Sequence, residues 1–117
     1  MIAELRALLT AENEPLKSIR PRGDAFCVSI RALVGPAGAP GEESFDFNVC
    51  SPAWLEYELD SHTIVEGRLL LIARTFDPQR VEDYVRKRIA QVSGDDWLTI
   101  AGKIARWSLW EFEDYSP

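Results

Sequence analysis

Alternation of apolar and polar residues in the first half of this chain commits it to building a sheet. Phe26, Val28, Ile30, Ala32 and Val34 share one side, with Cys27, Ser29 and Arg31 on the other, the period-two pattern of a half-buried strand. The run Gly35-Pro36-Ala37-Gly38-Ala39-Pro40-Gly41 cannot continue a ladder, because proline has no N–H to donate and glycine no side chain to pack. Alternation then resumes, with Phe45, Phe47 and Val49 opposite Ser44, Asp46 and Asn48. The two segments are expected to form a hairpin.

Residues 2–9 satisfy two templates: Ala3, Leu5, Ala7 and Leu9 alternate onto one face, while Ile2, Leu5 and Leu9 also fit a helical stripe. A strand is the preferred reading. Residues 10–24 carry Pro15, Pro21 and Gly23 without a sustained period and read as a long connection. Ser51-Pro52 supplies an N-cap hydroxyl followed by proline at the first helical position, so a short helix through Trp54 and Leu55 is expected. Residues 68–76, rich in Leu and Ile, read as a strand more buried than the others and central in the sheet. Asp77-Pro78 repeats the capped start, and Val81, Tyr84, Val85, Ile89 and Val92 then fall at helical spacing. Gly94 ends that helix, Asp95 is expected to cap the next, and Trp97, Ile100, Ala101 and Ile104 mark a stripe over residues 96–106. The sum is an α+β class: an antiparallel sheet of about four strands with helices packed on one face, in the order β-β-β-α-β-α-α.

Length and charge narrow the function. A chain of 117 residues matches one domain, so residues 1–117 are read as a single unit. Apolar residues at 46% and charged residues at 27% allow a core and a charged surface together. Thirteen basic against nineteen acidic side chains give a formal charge of −6, which disfavours nucleic acid and anionic membrane surfaces and suits a basic partner. The longest apolar run, residues 69–73, falls far short of a membrane span. No signal peptide is readable at Met1-Ile2-Ala3-Glu4-Leu5-Arg6, so a cytoplasmic location is expected, with Cys27 and Cys50 as reduced thiols.

Catalytic machinery is not legible. His62 is the only histidine and sits in a polar connection with no second imidazole for a metal site. Cys50 with His62 would make a nucleophile and base, yet nothing nearby promises an oxyanion hole. The glycine-rich stretch between the hairpin strands lacks the Gly-Lys-Ser/Thr ending of a phosphate loop and leads into a strand. No catalytic residue, metal site or cofactor is therefore assigned. Acidic residues gather as Glu42 and Glu43, as Asp95 and Asp96, and as Glu111, Glu113 and Asp114. Solvated faces and helix starts account for most of them. The last group stands out because Trp107, Trp110, Phe112 and Tyr115 interleave with the three carboxylates, and large aromatics beside acids suit a basic protein surface. Trp110 and Phe112 are also candidates to tuck back onto the core, leaving the carboxylates outside. Glu111, Glu113, Asp114, Asp95, Asp96 and Trp110 are the candidate partner-binding residues, chosen on charge and expected exposure.

Two segments, Glu43-Ser44-Phe45-Asp46-Phe47-Asn48-Val49-Cys50-Ser51-Pro52-Ala53-Trp54-Leu55 and Trp110-Glu111-Phe112-Glu113-Asp114-Tyr115, resemble the immunity protein 8 family of bacterial polymorphic toxin systems. The similarity runs over nearly the whole chain and includes the Gly35-Pro36 turn and Asp95 before Trp97. Such a resemblance implies a small cytoplasmic antitoxin that binds the toxic C-terminal domain of a large secreted or contact-delivered protein. It implies neither the toxin's identity nor a residue-level interface, and it leaves the oligomeric state open. Two other classes compete: a binding or scaffold subunit unrelated to toxins, and a small hydrolase built on Cys50 or a carboxylate cluster.

Overall fold

In the computed structural model, which describes residues 1–114, the alternating segments become the first three strands of a five-stranded sheet. Strands β1 (Ala3–Thr10), β2 (Cys27–Pro36) and β3 (Glu43–Cys50) pair antiparallel in that order. Helix α1 (Pro52–Ser61), strand β4 (Leu70–Ile72), helices α2 (Pro78–Ala90) and α3 (Trp97–Ile104), and strand β5 (Leu109–Trp110) follow. The α+β class and the antiparallel sheet with helices are as the sequence predicts, with a fifth strand added at the end.

One sheet face forms the core with α2 and α3. Val28, Ile30, Ala32 and Val34 from β2 and Phe45, Phe47 and Val49 from β3 are buried against Val81, Val85, Ile89, Ile100, Ala101 and Ile104. Helix α1 contributes no buried residue. The opposite face carries polar cross-strand pairs. Ser29 donates to Asn48 at 2.9 Å, and the Arg31 guanidinium meets both oxygens of Asp46 at 3.0 and 3.1 Å.

The inward set of β1 differs from simple alternation. Leu5 pairs with Val34 and Ala7 with Leu33, so Arg6 is the extra residue of a β-bulge. A one-residue insertion reverses the facing of everything after it: Ala3 and Leu5 are buried as the alternation predicts, but beyond the bulge Leu8 and Thr10 are buried in place of the expected Ala7 and Leu9. The displaced Arg6 side chain donates to the carbonyls of Pro36 and Ala39 at 2.7 and 2.6 Å, tying the β2–β3 turn to β1. Gly35 permits this close packing: a Cβ there would lie 2.1 Å from the Gly41 carbonyl oxygen across the turn and 3.0 Å from Arg6 Nη2.

A second correction concerns residues 68–76. They form only a three-residue strand at the sheet edge, and Ile72 is 61% exposed. The cause is competition for the free side of β3. Strand β4 pairs parallel with residues Asn48 to Cys50, while β5 pairs antiparallel with Phe45 and Asp46 farther along the same edge. Neither is long enough to become central. The connection over residues 10–24 is anchored by Leu16, buried in a single 3-10 turn, and by the Thr10 hydroxyl, which accepts from the N–H groups of Glu12 and Glu14.

Candidate partner-binding site

Two tryptophan-bearing elements, α3 and β5, converge near the start of β3. Asp96, not Asp95, caps α3: its carboxylate accepts the Thr99 N–H at 2.8 Å, filling one of the orphan donors of the first turn. That bond holds the Asp96 carboxyl below the usual carboxylate range and places Trp97 as the first helical residue. Trp110 ends β5 and stacks on buried Phe45, with centroids 6.4 Å apart and planes within 9°. Trp97 meets the same Phe45 edge-on at 6.4 Å. Glu43, the first residue of β3, joins the two indoles, its Oε1 accepting from Trp97 Nε1 and, at 3.0 Å, from Trp110 Nε1.

The acidic tail is clamped by its own side chains. The Glu111 N–H donates to the Ser44 carbonyl at 3.1 Å, and the Glu111 carboxylate accepts the Ser44 N–H at 2.7 Å, extending the β3–β5 ladder by one residue. Glu113 forms a two-pronged pair with Arg68 at 2.9 and 2.5 Å. The same guanidinium donates to the carbonyls of Ala105 and Ser108 at 2.8 and 3.1 Å. Hydrogen bonding to Arg68 keeps the Glu113 carboxyl below its ordinary range and raises Arg68 in turn. Trp110 packs against the core, and Phe112 lies edge-on to it at 5.9 Å while remaining 39% exposed. Tyr115 lies outside the described residues.

Of the residues chosen from sequence, Asp95, Asp96, Glu111 and Trp110 are therefore chain neighbours or members of one junction centred on Glu43. Glu113 faces Arg68, and Asp114 is exposed at a positive φ of 61°. Glu43 and Trp97 were not among the chosen residues. The available signal was that Glu43 opens the first family-like segment and Trp97 follows two carboxylates. Around the junction lie two shallow concavities: one of about 430 Å³ lined by Glu43, Leu98, Trp110 and Phe112, and one of about 290 Å³ lined by Pro36, Pro40, Gly41, Glu42, Glu43 and Trp97.

The geometry offers little for catalysis elsewhere. Cys50 is fully buried, and burial pushes its thiol up, opposite to what a nucleophile needs. His62 sits at the C-cap of α1, 65% exposed and 3.6 Å from Glu58. A third concavity, of about 490 Å³, runs from β4 to α2 past Leu70, Ala73, Arg74, Asp77, Arg80 and Tyr84, and is lined by neither Cys50 nor His62. Among the described residues, no three His, Cys, Asp or Glu side chains converge on a metal position, and no helix is long and apolar enough to cross a membrane.

No curated protein and no solved structure matches the chain. The family model described as Immunity protein 8 matches residues 3–115, nearly the whole length and both tryptophan-bearing elements of the junction, and the chain belongs to that family.

Proposed function

We propose that this chain is a cytoplasmic immunity protein that binds and neutralises the toxic C-terminal domain of a cognate polymorphic or contact-delivered toxin. The observation that carries the reading is family membership across residues 3–115. Support of a different kind comes from the formal charge of −6. Acidic side chains steer a basic partner during diffusion and fix its register, and partly buried aromatics retain it once docked. The action is stoichiometric: the bound chain covers the toxin's substrate path or an adjacent exosite and performs no chemistry. Asp95, Asp96, Glu111, Asp114 and Trp110 supply the docking surface, and Glu113 acts through the clamp it forms with Arg68.

The test is capture of the tagged protein from its own cells at low salt, identification of what stays bound, and co-expression with the recovered toxin domain. Recovery of a large protein whose C-terminal domain loses toxicity on co-expression supports the reading. Capture of an unrelated complex, with full toxicity of every neighbouring toxin-like domain in the presence of this chain, replaces it with a scaffold role.

A further inference from the structure

Glu43 is held in place without being neutralised. Its Oε1 accepts from two indole N–H groups, of Trp97 and Trp110, and an indole is a donor that carries no charge. Other carboxylates on the same sheet are matched by cations: Asp46 by Arg31, Glu4 by Arg6, and Glu113 by Arg68 across the β5 edge. Among the described residues, none of the ion pairs formed by Lys, Arg or His includes Glu43. The carboxylate is half-buried, so its negative charge sits where solvent screens it less than at an open surface. Beside it, the concavity of about 430 Å³ is walled by Trp110 and by Leu98, which is 70% exposed on the first turn of α3.

We propose that this concavity receives an arginine or lysine side chain from a protein partner, with Glu43 as the counter-charge. Each part of such a side chain has a matching surface. The aliphatic stem lies along Leu98, as long cationic side chains commonly cover apolar surface. The cationic head reaches the Glu43 carboxylate and the Trp110 ring, combining a charge-assisted hydrogen bond with a cation–π contact. The two indole donors fix the carboxylate in advance, so little side-chain freedom is lost on docking. Charge in the surroundings agrees in sign: Glu42 adjoins Glu43, Asp95 and Asp96 precede Trp97, and Glu111 follows Trp110. This assignment rests on the reading of the chain as a toxin-binding protein for the identity of the partner, but not for the chemistry of the pocket.

The pocket is tested apart from any toxin by titrating N-acetyl-arginine amide into isotope-labelled protein and following the four indole N–H resonances. Trp97 and Trp110 are expected to shift saturably in the millimolar range, while Trp54 and Trp107 stay in place and the uncharged citrulline analogue has no effect. Glu43→Gln keeps an oxygen acceptor for both indoles and removes only the charge, so it should retain the fold and abolish the response. Leu98→Ser alters only the exposed wall and should weaken the response several-fold. Absence of a saturable shift up to 100 mM ligand, or equal responses from wild type and Glu43→Gln, overturns the pocket. With the toxin domain in hand, Glu43→Gln should weaken binding by about tenfold or more, chiefly through faster dissociation. A captured and neutralised toxin domain whose affinity ignores Glu43→Gln sinks the pocket and leaves the immunity reading standing. An arginine response without any toxin partner does the reverse.

Discussion

Ser51 carries two backbone donors on one buried hydroxyl, and its removal should cost more than an ordinary helix cap. Its Oγ accepts the Trp54 N–H at 3.2 Å at the start of α1 and the Phe26 N–H at 3.0 Å at the entrance to β2. Loss of an N-cap acceptor costs about 1 kcal/mol. The Phe26 N–H is different, because its residue is buried and a donor stranded away from water costs about 1–3 kcal/mol more. Ser51→Ala should therefore destabilise the protein by about 2–4 kcal/mol, lowering the melting temperature by roughly 8–16 °C for a chain of this size. Asp77→Ala is the internal control, since Asp77 caps α2 through the N–H groups of Gln79 and Arg80 at an exposed site and should lose only about 1 kcal/mol. Urea unfolding followed by far-ultraviolet dichroism measures both under identical conditions. A Ser51→Ala variant no less stable than Asp77→Ala would refute the assignment of a second, buried donor to Ser51.

Two further outcomes follow from the ionisable groups. Because Arg68 depresses the Glu113 carboxyl, the clamp contributes stability above the unfolded carboxylate range of about 4.3 and loses it as the pH falls through the lower folded value. Glu113→Gln should flatten the acid side of the stability curve, and urea midpoints between pH 3 and pH 7 that fall as steeply as in wild type would exclude the linkage. Cys27 and Cys50 are cross-strand partners, and the adjacent pair is hydrogen-bonded through the Ser51 N–H to the Phe26 carbonyl. The cysteines thus occupy a non-hydrogen-bonded position with Cα atoms about 4.5 Å apart, within disulfide reach. Desolvation pushes both thiols up, so two-electron oxidation by diamide should join them, faster toward alkaline pH; retention of two free thiols at pH 9 by mass spectrometry would contradict that geometry.

Much of the architecture was readable because side-chain period reports which face is buried. The hairpin of β2 and β3 and the stripes of α2 and α3 follow from that rule, and the starts at Ser51 and Asp77 from a capping side chain placed before proline. Arg6 defeated it, since a bulge adds one residue without any compositional mark and reverses the facing of Ala7, Leu8, Leu9 and Thr10. Residues 68–76 misled for a related reason: an apolar run signals contact with a core but not whether a strand has neighbours on both sides. Strand β5, two residues long, has no period to read. At the candidate site, composition found the acidic and aromatic character of the tail. It could not find Glu43, whose bonds to Trp97 and Trp110 span 54 and 67 residues and exist only after the sheet and α3 have assembled.

That long separation has a kinetic side. Strands β1, β2 and β3 can pair through consecutive antiparallel connections, whereas β5 must return from the far end of the chain to reach Phe45 and Asp46. Closing the longer loop is slower, so the stretch of the β3 edge at Phe45 and Asp46 is expected to stay open until β5 docks. Tryptophan fluorescence in stopped-flow refolding, with Trp110→Phe as the silent reference, would time that event against sheet formation. On the proposed pocket, the closing step of folding is then also the step that completes the hold on Glu43, and a newly made chain would present that pocket only once its sheet is finished.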